Sequence, residues 1–114
     1  MNAYDAAHQL ARSLEESVEY VEYKKAKEKV KQDPQVLKML KDLRAKQLEV
    51  QALTLSGKPN AEAQKSLESL YNIAINNSLI KEFLDAEERF AVLFTDIQNI
   101  IVRNIDFTLD SEEK

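Results

Sequence analysis

The 114-residue sequence predicts an all-α protein, an antiparallel helical hairpin or bundle of about five helices that forms a dimer. With one glycine and two prolines in the whole chain, few points force a helix to stop and hairpin-turn chemistry is nearly absent. Apolar residues recur at three- and four-residue spacing between residues suited to capping. On the two longest helical segments those apolar residues spread too far around the axis for a single packing partner, which is the reason to expect a second chain.

The first helix is expected over residues 3–14, where Ala3, Ala7, Leu10 and Leu14 form a stripe flanked by Tyr4, Ala6 and Ala11. A bend is expected near Ser17. Ser13, with Glu16 three residues on, and Ser17 are the candidate caps, and the second segment carries Val18, Val21, Ala26 and Val30 to about residue 31. Asp33-Pro34 starts the third helix: Asp33 can cap free N–H groups, and Pro34 at the first helical position sacrifices no hydrogen bond. This helix continues to residue 55 or 56, roughly 33 Å, and Gly57 supplies the left-handed residue that closes it. The connector Lys58-Pro59-Asn60 is short, so a fourth helix over residues 61–75, capped by Asn60, should lie antiparallel to the third. Asn77 and Ser78 offer caps for a last helix over residues 79–103. One domain over residues 1–105 is expected, followed by an acidic tail, 106–114, whose Phe107 and Leu109 are free to dock.

Along the third helix Val36, Leu37, Met39, Leu40, Leu43, Leu48, Val50, Ala52 and Leu55 cover an arc of roughly 220°. Gln47 and Gln51 lie inside that arc with Arg44 beside them, whereas Lys38, Asp42 and Glu49 mark the outer face. The last helix is similar: Ile80, Phe83, Leu84, Phe90, Leu93, Phe94, Ile97, Ile100 and Ile101 form a broad stripe with Glu87 and Gln98 along one flank. A single hairpin buries one stripe per helix, so the surplus implies another chain; a homodimer is the economical solution, and a tetramer stays open. The candidate interface is Leu40, Leu43, Arg44, Gln47, Gln51, Phe83, Glu87, Phe90 and Phe94. Within it, Gln47 and Gln51 are expected to form a hydrogen-bonded layer that sets register, and Arg44 to pair with Glu87. The same residues also fit a surface read by a different protein.

The net charge of −4 conceals a polarity. Between residues 24 and 46, nine Lys or Arg stand against three Asp or Glu, and both ends of the chain are acidic. Lys24, Lys25, Lys27, Lys31, Lys38 and Lys41 are the residues that would meet RNA phosphates. The competing reading is a solvated helix surface, because acidic residues precede basic ones in the order a helix dipole favours. On that reading nucleic acid is not a partner.

Catalytic chemistry finds little support. The chain has no cysteine, which removes disulfides, thiolate metal sites, iron–sulfur ligation and a Cys nucleophile. His8 is the single histidine and reads as a helix-surface residue. Gly57 is alone, so no glycine-rich phosphate loop exists, and no Glu-x-x-His motif accompanies Asp85, Glu87 and Glu88. No enzyme activity, metal or cofactor is expected. Tyr20 and Tyr23 beside Lys24 and Lys25 are expected to cover a helix junction rather than to stack on bases. No apolar run approaches a membrane span and residues 1–10 lack a signal-peptide pattern, so a cytoplasmic location away from membranes is expected.

Tyr4-Asp5-Ala6-Ala7 with Leu10, Ser17-Val18-Glu19-Tyr20, Ala26-Lys27, Asp33-Pro34, Leu43-Arg44, Gln47, Gln51, Gly57, and Leu84-Asp85-Ala86-Glu87 with Arg89 occur in this order. The pattern resembles the bacterial YlbF/YmcA family, including its short YheA-like branch, over residues 4–101. The shared residues are helix-packing positions, not a catalytic signature. The resemblance implies an all-helical, dimer-forming cytoplasmic protein of Gram-positive type bacteria with no enzymatic activity of its own. Better-known members act with a third protein, YaaT, as accessory factors in competence, sporulation, biofilm development and mRNA maturation by RNase Y. Longer relatives carry cysteines linked to iron–sulfur clusters, which this cysteine-free chain cannot bind in that way. The expectation is therefore a non-enzymatic regulatory or adapter protein acting on a bacterial protein partner, the alternative being direct RNA binding through residues 24–46.

Overall fold

A computed structural model describes residues 2–109. Five helices follow one another among the described residues: α1 (Ala3–Glu15), α2 (Val18–Lys31), α3 (Pro34–Leu55), α4 (Ala61–Ala74) and α5 (Ser78–Arg103). The all-α expectation holds, with boundaries within about a residue of those read from the sequence. Residues 110–114, most of the expected acidic tail, lie outside the described residues.

Local chemistry accounts for the boundaries. Ser17 caps α2, its hydroxyl accepting from the Tyr20 N–H (3.1 Å) and donating back to the Leu14 carbonyl (2.6 Å), which locks the α1–α2 corner. Ser13 lies inside α1 and is not a cap. Asp33 Oδ1 accepts from the N–H groups of Gln35 and Val36, and Asn77 Oδ1 from those of Leu79 and Ile80. At the end of α3, Gly57 adopts φ +70°, so that Lys58 N–H reaches the Leu53 carbonyl and Gly57 N–H the Thr54 carbonyl. Asn60 departs from expectation. It precedes α4 without a side-chain cap, because its amide Nδ2 donates to Thr54 Oγ1 (2.7 Å) and ties the connector to α3 instead.

The helices pair unevenly. α2 packs on α5 and α3 on α4, while α3 touches α5 only briefly. Ion pairs fix the antiparallel register of the first pair: Glu22 meets Arg89 (3.7 Å) and, seven residues on along α2 and seven back along α5, Lys29 meets Glu82 (3.0 Å). One core joins the pairs where Ala26 and Val30 of α2, Val36, Leu40 and Leu43 of α3, Ala74 of α4, and Ile80, Phe83 and Ala86 of α5 converge. Among the described residues away from this junction only Ala63 is buried, and α1 buries nothing.

Two arms therefore project from the junction, one built from α5 with α2, the other from α3 with α4. The Cα radius of gyration is 18.7 Å, against about 13 Å for a compact domain of this length. The accessible surface is 8931 Å², against about 6,400 Å² expected for a compact monomer of this mass. Phe107 and Leu109 do not dock and are 77% and 93% exposed.

Candidate interaction surface

The expected interface residues separate into two groups. Leu40, Leu43 and Phe83 are buried in the chain's own core, where residues of α2, α4 and α5 at the junction pack around them. Arg44, Gln47, Gln51, Glu87, Phe90 and Phe94 remain partly or wholly accessible.

Arg44 and Glu87 form an ion pair across the single point where α3 approaches α5, with their side chains 40% and 34% exposed. The other guanidinium nitrogen of Arg44 donates weakly to Gln47 Oε1 (3.4 Å). Tyr23 lies beside this group. Burial, then the Glu87 charge, push its phenol above the ordinary tyrosine range, while Arg44 opposes and Tyr20 adds a smaller upward push. Tyr23 also stacks on Phe90 (5.9 Å between centroids, planes 13° apart), and contacts with Phe83, Tyr20 and Phe94 extend the aromatic cluster. The tyrosines thus cover the α2–α5 seam, as the sequence suggests.

Past the Arg44–Glu87 bridge each helix keeps one face open, although α4 still lines α3 at Gln47 and Val50. Three- and four-residue steps along the Arg44 face of α3 reach Leu48, Gln51 and Leu55, all exposed, the leucines at 66% and 80%. The same steps along the Glu87 face of α5 reach Phe94, Gln98 and Ile101, again exposed. Each helix thus carries an exposed apolar row interrupted by one glutamine, and both rows start from the ion pair; the space between them is the notch. Gln47 and Gln51 do not form one layer within this chain. Gln47 is half-buried and borders a shallow depression of about 390 Å³ with Val50, Gln64, Leu67 and Tyr71, whereas Gln51 stands on the open wall.

Leu48, Leu55, Gln98 and Ile101 are wall residues that the expected site lacks. Their signal was present as helical phase: each lies on the turn-by-turn continuation of Arg44 or Glu87. Knowing that those two residues meet is what converts phase into a surface.

Lys24, Lys25, Lys27, Lys31, Lys38 and Lys41 are all exposed. Lys38 is paired with Asp42 (3.0 Å), and the ammonium groups of Lys24 and Lys27 sit 5.8 Å from the ring centroids of Tyr20 and Tyr23. Those rings are engaged with Phe90 and Phe83, which leaves them poorly placed to stack on bases. Among the described residues no group of three or more His, Cys, Asp or Glu could hold a metal ion, and no helix is long and apolar enough to cross a membrane.

The model of a family described as control of competence regulator ComK, YlbF/YmcA, matches residues 3–106. The chain belongs to this family. Similar proteins include a UPF0342 protein of Symbiobacterium thermophilum, 42% identical over 107 residues, covering 93% of this chain and 96% of that one. A UPF0342 protein of Halothermothrix orenii is 37% identical over 115 residues, spanning 100% and 98% of the two chains, and one of Clostridium tetani is 38% identical over 115 residues, spanning 100% and 99%. The description of the YlbF/YmcA family names control of a regulator and no reaction, and the near-complete coverage shows that the match extends over the arms as well as the junction.

Proposed function

We propose that this protein is a non-enzymatic regulatory adapter that self-associates and acts through protein–protein contacts made by the notch between α3 and α5. The supporting observation is the apolar surface left bare on both walls beyond the Arg44–Glu87 bridge, in a chain whose accessible area exceeds that of a compact monomer by about 2,500 Å². The glutamines suit such a surface, because buried amides that find partners penalise slipped alternatives. The family's description, control of a competence regulator, agrees with a role exerted on other proteins. A location in the cytoplasm is part of the same reading.

Light scattering across a wide concentration range tests it. The wild-type chain should give the mass of a dimer at micromolar concentration. Gln47→Glu with Gln51→Glu, which sets carboxylates of the two chains against each other in the interface, should give a monomer. A wild-type monomer, or an unchanged assembly in the variant, would remove the notch from the interface. Direct RNA binding through residues 24–46 makes the contrasting prediction of an affinity for single-stranded RNA that falls steeply with salt and with Lys24→Glu, Lys27→Glu and Lys31→Glu.

A further inference from the structure

Helix α1 contributes nothing to the core of its own chain, and only Leu10 and Leu14 of its apolar stripe are partly covered. It carries Ala3, Ala7, Leu10 and Leu14 on one face, buries no residue, and leaves Tyr4 81% exposed. The doubly bonded Ser17 corner fixes its direction relative to α2. Meanwhile the apolar stripe of α5 that begins in the core with Phe83 and Ala86 continues through Phe90, Phe94 and Ile97 to Ile101, and α2 covers only its first half. An amphipathic helix that buries no residue and a helical face that is largely open thus occur in one molecule.

We propose that α1 of one copy seats on the bare distal half of α5 in a second copy, against the α5 wall of its notch, and that the exchange is reciprocal. The inference rests on the reading that the chain self-associates and specifies which segment fills the surface. Lengths agree, since the 13 residues of α1 span about 20 Å and the distal half of α5, residues 91–103, is also 13 residues long. Pairing α5 with α5 across a twofold axis would leave both α1 faces in water, whereas the exchange covers both bare faces twice per dimer. The small residues Ala3, Ala7 and Ala11 on α1 allow a close approach to the bulkier Phe94, Ile97 and Ile101.

The absence of cysteine makes crosslinking clean. Chains carrying Ala7→Cys are mixed with chains carrying either Phe94→Cys or Ile101→Cys and treated with a short bismaleimide. Positions 94 and 101 bracket the wall, so one of the two mixtures should yield a product of twice the chain mass whichever way α1 runs. All three positions are exposed, so the core is left intact. Light scattering of the same samples separates the failures. A dimer that crosslinks in neither mixture overturns the α1 exchange while self-association stands, and a monomer overturns self-association itself. The double variants Ala7→Cys with Phe94→Cys and Ala7→Cys with Ile101→Cys add a further outcome: an efficient crosslink within one chain would mean that α1 closes on its own α5, and would refute the exchange.

Discussion

Arg44→Gln and Glu87→Gln, made singly and together, read out whether the notch is covered in the assembled protein. In the isolated chain the two side chains are 40% and 34% exposed, so water screens them and their coupling should be only about 0.2–1 kcal/mol. If a second chain covers the notch, that water leaves, and breaking a buried pair by removing one partner costs about 3–5 kcal/mol. Each single substitution then strands one charge in the interface and should weaken dimerisation about tenfold or more, since tenfold is about 1.4 kcal/mol. The double substitution, leaving two neutral amides, should recover most of the loss. Sedimentation equilibrium on the four proteins gives the dimer Kd and hence the coupling free energy. Urea unfolding of the same set, at one fixed protomer concentration, gives the effect on stability. Single substitutions that leave the Kd within about twofold would show that the bridge stays wet and that the interface lies elsewhere, contrary to the reasoning.

Leu43, 1% exposed at the junction, should lose about 2–5 kcal/mol on Leu43→Ala, read as a fall in the denaturation midpoint at unchanged helix content before the transition. Gly57→Ala meets no neighbour within 4 Å, so its cost should come only from the left-handed backbone at φ +70°, about 1 kcal/mol in urea unfolding; a neutral result would refute the strain argument. The phenol of Tyr23 is raised by burial and by Glu87, so folding favours its protonated form. That contribution is complete below the ordinary tyrosine pKa of about 10 and is lost as pH climbs through the raised value. Tyr23→Phe should flatten the corresponding part of the alkaline stability loss, and phenolate absorbance against pH should show one tyrosine fewer titrating late.

Much of the architecture is written in short-range chemistry. A cap depends on a residue and the N–H groups two or three positions on, and so Ser17, Asp33, Gly57 and Asn77 act as their residue types suggest. Asn60 shows the limit, since a hydroxyl six residues upstream competes successfully for its side chain. Arg44 and Glu87 were recognisable as a pair because each is a charge placed at the margin of an apolar arc, and opposite charges so placed neutralise each other where the helices meet.

By itself the sequence determined the all-α class, the five helices and the fact that α3 and α5 carry more apolar arc than one neighbour can cover. Only the tertiary structure decided which portion of each arc is used. Phe83 and Ile101 are both apolar and stand eighteen residues apart, five full turns, on the same face of α5, yet Phe83 is buried and Ile101 is half exposed. Nothing local distinguishes them. Periodicity specifies the direction in which a side chain points, whereas burial depends on whether a second helix extends that far. Here α2 stops at the Ser17 corner before reaching the distal half of α5, and α3 diverges after Arg44.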